Sequence, residues 1–145
     1  MKIVQVIDQL SLGGAERVCL NLVNLFYRKG YDVKLILFKN KGKLLDFIDQ
    51  GVDVVFLKEN QNKIQAYKNL IEELEDADIV HVHMRQNYRF VRKAMLFKNV
   101  KKPVIFHDHY GKIAIKKRVP LFYKSLLKPH FYIGCSKLLT DWAVH

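Results

Sequence analysis

The sequence predicts a doubly wound α/β domain built on a parallel sheet. Three observations carry that expectation. Short apolar runs alternate with amphipathic helical stretches along nearly the whole chain, several of the runs are apolar almost throughout, and glycines punctuate the first changeovers. Strands buried on both faces read as continuous apolar runs because right-handed crossovers lay helices on each side of a parallel sheet. At 145 residues the chain is long enough to bury roughly 70% of its unfolded surface, which is one core and not two.

Residues 2–7 (KIVQVI) form the first strand, followed by Gly13 and Gly14. From Ala15 the apolar positions Val18, Cys19, Leu22, Val23 and Phe26 repeat at the spacing of one helical face, and Gly30 stops the helix. The second strand is 33–38 (VKLILF). Leu44, Leu45, Phe47 and Ile48 predict a short helix before a third strand at 52–57. Ile64, Tyr67, Leu70, Ile71 and Leu74 mark a longer amphipathic helix, and 78–82 (DIVHV) a fourth strand. Tyr88, Val91, Ala94 and Met95 line the inner face of the next helix. Strands five and six are placed at 104–106 and 130–135, and a last helix begins at Lys137 with Leu138, Leu139 and Trp142 turned inward. The chain stops there, before its final crossover, so residues 1–145 are expected to be one domain, incomplete at its carboxyl end.

Half of the residues are apolar and 27% charged, which excludes disordered and low-complexity classes. No apolar run reaches the roughly 18 to 20 residues that cross a bilayer, and the amino terminus lacks a cleavable leader pattern. Cys19 and Cys135 show no bridge or metal-clip spacing; both are expected to pack in the interior of a cytoplasmic protein. The net charge of +11 is unevenly placed. Residues 1–80 hold 11 Lys and Arg against 12 Asp and Glu, whereas residues 81–145 hold 14 against 2 together with all six histidines. Such a field draws an anionic partner or simply solvates one face.

In an open parallel sheet the ligand crevice lies beyond the carboxyl ends of the strands. After strand one, Gly13 and Gly14 let a ligand approach the backbone, and the following helix start favours an anion such as phosphate; the alternative is a helix that merely needs a tight turn, with Glu16 closing a cap. Neither G-x-G-x-x-G nor G-x-x-x-x-G-K-[ST] is present, which lowers the odds of a dinucleotide enzyme or an NTPase. After strands four and five come His81-Val82-His83 and His107-Asp108-His109, each pair able to share one side. Imidazoles in this arrangement invite a metal, but Asp108 is the only nearby carboxylate, so hydrogen-bonding histidines at a crevice are preferred and no metal is assigned. Arg85, Arg89 and Arg92 form a stripe on the helix that follows.

The segment 112–128 mixes Lys112, Lys116, Lys117, Arg118, Lys124 and Lys128 with bulky apolar residues, a pattern that suits an anionic bilayer surface or else a helix from Pro120 with a wet basic face. No helix-turn-helix pattern or RNA-binding aromatic motif is found, so no nucleic-acid partner is expected.

Residues 8–22 (DQLSLGGAERVCLNL), the two His-x-His elements and the later Ile133-Gly134-Cys135-Ser136 together resemble the amino-terminal, acceptor-side domain of GT-B glycosyltransferases of the group 1 or family four class. The resemblance covers nearly the whole chain. It implies a Rossmann-like half of a two-domain enzyme that takes a hexose from a nucleotide-sugar donor to a glycan or lipid-linked acceptor. Gly13 and Gly14 would then sit beside the donor diphosphate, and either His107 or His109 would orient the transferred sugar. His83, Arg85 and Ser136 would line the cleft or meet the acceptor. No cofactor or metal is implied. The family's donor domain supplies an Arg and Lys pair and an E-x7-E element, neither of which is in these 145 residues, so catalysis is expected to need that missing carboxyl-terminal domain. Relatives working at the cytoplasmic face of the membrane match the basic segment. Two rival readings remain open here: a non-catalytic module that binds a membrane or a partner through its basic half, and a sugar-nucleotide epimerase of similar architecture.

Overall fold

The computed structural model describes residues 1–57, 62–110 and 127–144, with the side chains of Trp142 and Val144 outside the description. Six strands form one parallel sheet in the order β3-β2-β1-β4-β5-β6. They are β1 (Lys2–Ile7), β2 (Asp32–Leu37), β3 (Asp53–Phe56), β4 (Ile79–His83), β5 (Val104–Asp108) and β6 (Phe131–Gly134). The described helices are α1 (Gly14–Arg28), α2 (Lys63–Leu74), α3 (Arg85–Phe97) and α4 (Lys137–Val144), with a 3-10 turn at Leu45–Phe47. The predicted doubly wound parallel class is thus the observed one.

Alternation along the strands divides the interior into two cores. Val4 and Val6 of β1, Val80 and Val82 of β4 and Val104 and Phe106 of β5 pack with Leu70, Leu74, Tyr88, Val91 and Met95 of α2 and α3. On the opposite face Ile7, Leu35 and Leu37 pack with Cys19, Leu20 and Val23 of α1. The polar residues Gln5, His81, His83 and His107 occupy the positions between the first set, so they stand on the α1 side of the sheet. That is the step by which strand parity, rather than any loop, brings the histidines toward the amino end of α1.

From β1 the chain winds first to β2 and β3 and then returns to the other side for β4, which makes the gap between β1 and β4 the topological switch point. Beyond it the connection after β1 is pinned to the one after β2: Leu10 N–H donates to Lys41 O and Leu44 N–H to Leu10 O. Gly42 permits this contact, because its φ of +134° suits glycine and a β-carbon there would run into the Leu10 carbonyl.

Several expectations are corrected. β4 and β5 run on to His83 and Asp108, so His83 and His107 are strand residues and not loop residues. Leu139 turns inward from α4, but its neighbour Leu138 is 61% exposed, because one short helical face cannot bury both. Cys19 is buried as expected, while Cys135 is exposed just after β6, which among the described residues is an edge strand paired with β5. Lys112, Lys116, Lys117, Arg118, Lys124 and the helix expected from Pro120 lie outside the described residues; Lys128 is exposed.

Candidate functional site

A cleft of about 440 Å³ opens at the switch point, lined by Gly14, Ala15, Glu16 and Val18 of α1, Met84 after β4, His109 after β5 and Cys135 after β6. Its lining thus comes from the carboxyl ends of four strands, the position where open parallel sheets bind ligands. A larger depression of about 840 Å³ lies on the far side of α1, between Leu12, Leu25 and Phe47. It gathers no cluster of titratable groups, and its Arg28 is engaged by Asp49 at 2.7 Å. The smaller cleft is the one that His109 borders.

The two glycines part company in the structure. Gly13 precedes α1 as its cap residue and offers no side-chain cap, and Glu16 folds back over that start, held by Ser11 Oγ, which donates to its Oε1 at 2.7 Å. A carboxylate there complements the positive end of the helix, but a β-carbon on Gly13 would collide with it. Glu16 thus lies over Gly13 without capping the helix start, and its flexible carboxylate would have to swing aside for an anion to reach the main-chain N–H groups there. Gly14 is open: a β-carbon on it would meet nothing within 4 Å, and it faces the cleft that His109 also lines.

The four histidines form one stack. Ring centroids are 4.5 Å apart for His81 and His83, 5.1 Å for His83 and His107, and 4.3 Å for His107 and His109. His81, His83 and His107 are buried, and only half-buried His109 reaches the cleft, so the choice that the sequence leaves open falls on geometry. His83, expected to line the cleft, stands behind His109 with no exposure. Its Nε2 lies 2.9 Å from Gln5 Oε1 and its Nδ1 3.2 Å from His109 Nε2.

Ring nitrogens of His81, His83 and His107 come within 4.8 Å of one another, which is the grouping a metal would need among the described residues. Their stacking argues for another use. The His81 and His107 planes are only 6° apart, so in-plane lone pairs run side by side instead of converging, and both nitrogens of His83 are already engaged.

Burial, followed by mutual repulsion among the imidazoles, pushes His81 down to about 3 and His107 to about 4, and holds His83 well below the usual histidine range. His109 is lowered by burial, with Asp108 and Glu16 opposing. In the unfolded chain these rings protonate near pH 6.5, so on acidification the unfolded state takes up protons first. Stability is full above about pH 6.5 and falls as the pH moves toward 4, each buried ring adding about 1.4 kcal/mol per pH unit. Urea midpoints followed by circular dichroism should therefore drop clearly between pH 7.5 and 5, above the carboxylate range, and His81→Leu should flatten the profile. A wild-type midpoint that does not move over this interval would contradict the neutral stack.

Arg85, expected in the cleft or against the acceptor, turns to the other face of the sheet. Its Nη2 and Nε lie 2.6 and 2.9 Å from Asp108 Oδ2, and its guanidinium sits 4.1 Å over the Tyr110 ring. The expected stripe is thus broken: Arg89 is exposed, whereas Arg85 and Arg92 are half-buried. Ser136 is exposed and starts α4, its Oγ accepting from Leu139 N–H at 3.4 Å.

Sequence reasoning missed Gln5 and Met84. Gln5 was visible as the one polar residue inside an apolar strand. Met84 had no signal: it joins β4 to α3 with φ +72° and ψ 148°, a backbone state that residues other than glycine rarely adopt. Met84 N–H bonds to His107 O and Met84 O accepts from Tyr88 N–H, so both ends of the residue are held while its side chain meets the cleft.

Fold and cleft together define a Rossmann-like domain with a ligand crevice at its topological switch point. Residues 12–141 match Glycosyltransferase Family 4. The chain belongs to that family, as its amino-terminal domain of GT-B type. Among solved structures it is similar to a lipopolysaccharide outer core galactosyltransferase, WaaB, in its apo form, with a TM-score of 0.74, 14% identity and 99% of this chain covered. The chain spans 42% of that protein's length. No curated protein matches it by sequence.

Proposed function

We propose that this domain forms the acceptor side of a hexosyltransferase, which carries a sugar from a nucleotide-sugar to a glycan or lipid-linked acceptor during assembly of a surface polysaccharide or glycolipid. The observation that carries the reading is the meeting of Gly14, at the uncapped start of α1, with His109 in one cleft of a family-four domain. A departing nucleoside diphosphate gains negative charge. Main-chain N–H groups in the first turn of a helix have no partners within it, so they favour that charge more in the transition state than in the ground state. His109 stands across the cleft, where it would orient the transferred sugar. We assign the remaining charge neutralisation to cations of a donor-side domain, and no metal.

The net +12 of residues 81–145 supports a place at the cytoplasmic face of an anionic membrane, where a lipid-linked acceptor would be presented. No helix among the described residues is long and apolar enough to cross a membrane.

Gly14→Val tests the reading. The space around Gly14 accepts the new side chain, so the domain should keep its fold and its unfolding midpoint. The valine would stand in the cleft, and turnover of the two-domain enzyme should fall at least about tenfold, the equivalent of ~1.4 kcal/mol in the barrier. Turnover equal to wild type would remove the α1 start from the mechanism.

A further inference from the structure

Gln5 has no exposed surface, sits in the middle of an apolar strand, and leaves its amide nitrogen without a hydrogen-bond partner among the described residues. Leu or Val at this position would carry no such penalty, so packing alone does not account for it. Its oxygen is used: Gln5 Oε1 meets His83 Nε2 at 2.9 Å, and His83 Nδ1 meets His109 Nε2 at 3.2 Å. Two hydrogen bonds thus connect the centre of the sheet to the wall of the cleft.

Proton counting gives this chain a direction. A carbonyl oxygen only accepts, so the first bond is donated by His83 Nε2–H. Burial and three neighbouring imidazoles keep His83 neutral, so it has no second N–H. Its Nδ1 is then bare and accepts from His109 Nε2–H, which leaves the lone pair of neutral His109 on Nδ1. We propose that Gln5 and His83 are positioning residues that hold His109 in the Nε2–H tautomer and keep it hydrogen-bonded whether its ring is neutral or protonated.

The second half of that statement follows from the imidazolium, which carries a proton on both nitrogens. His109 can gain a proton at Nδ1 without disturbing its bond to His83. With the amide of Gln5 reversed, His83 would donate from Nδ1, and a proton on His109 Nε2 would break the contact. The groups facing His109 are the His83 and His107 rings and the carboxylates of Asp108 and Glu16; the two carboxylates favour the charged ring against burial. The inference rests on the reading of His109 as the imidazole that meets the transferred sugar.

Long-range proton–nitrogen correlation spectra of the 15N-labelled protein at neutral pH report which ring nitrogen carries the proton. His83 and His109 are both expected as Nε2–H. In Gln5→Met, close in shape but with only a weakly accepting sulfur in place of the carbonyl oxygen, His83 should spread its proton over both nitrogens and His109 should follow. A wild-type Nδ1–H form of either ring, or tautomers unchanged in Gln5→Met, overturns the proposal; the wild-type spectrum decides even where the variant does not fold. In the two-domain enzyme Gln5→Met should lower kcat about tenfold with little change in acceptor KM. Mixed tautomers with wild-type kcat would leave the hydrogen-bond chain standing and instead remove His109 from the transfer, so the two readings fail separately.

Discussion

Replacement of His109 by alanine is expected to lower kcat of the proposed two-domain hexosyltransferase by about 10²-fold or more, the scale of loss when a group that orients the reacting sugar is removed. The fold should survive, because His109 is half-buried after the end of β5 and its main chain is not part of the strand ladder. His107→Ala is the control. His107 is 8% exposed and its ring lies between those of His81 and His109, so its removal opens a void in the stack and should lower stability more than turnover. Initial rates at saturating donor and acceptor, with urea midpoints for both variants, check the pair. A larger turnover loss for His107→Ala than for His109→Ala would transfer the role to the buried ring and refute the cleft assignment.

Asp108→Ala should produce a large loss of stability, about 3–5 kcal/mol, the range found when one partner of a buried ion pair is removed. Asp108 has no exposure and serves four groups: the Arg85 guanidinium, the Tyr132 hydroxyl at 3.0 Å, the Tyr110 main-chain N–H at 3.1 Å and, through its own carbonyl, Cys135 N–H at 3.1 Å. The first three depend on the carboxylate. Burial, then the Asp108 charge, raises the Tyr132 hydroxyl well above its usual range, so that hydroxyl stays a donor. Since β6 is joined to the sheet through β5 alone among the described strands, losing Asp108 also loosens the edge strand that brings Cys135 to the cleft. The denaturant midpoint should fall for Asp108→Ala and recover in part when Arg85→Met is added, because the charge left behind is then gone. A single variant as stable as wild type would show that the pair contributes nothing to folding.

The parallel sheet was legible because its physical cause is local. An apolar run such as KIVQVI has few alternatives to a strand covered on both faces, and the spacing of Tyr67, Leu70, Ile71 and Leu74 has few alternatives to a helix with one buried face. Element ends were less legible. His83, His107 and Asp108 read as loop residues because they are polar, yet pairing with neighbouring strands and burial under α1 and α3 keep them extended. The site was legible as a set of residue types and not as an arrangement. Of the residues named from the sequence, Gly14 and His109 line the cleft, whereas Gly13 lies under Glu16, His83 stands behind His109, and Arg85 pairs with Asp108 on the opposite face.

What the sequence by itself determined is the order of strands and helices, their faces and the family, since hydrophobic period and residue order are properties of a chain read along its length. Which histidine reaches the cleft, and that Gln5 stands behind it, was decided only in three dimensions. Gln5, His83 and His109 are far apart in sequence, and they meet because the register of β1 with β4 and of β4 with β5 brings the Gln5 amide and the two imidazoles together on the α1 face. A hydrogen bond needs partners within about 3 Å, and no local pattern in a chain encodes that distance between strands that are not consecutive.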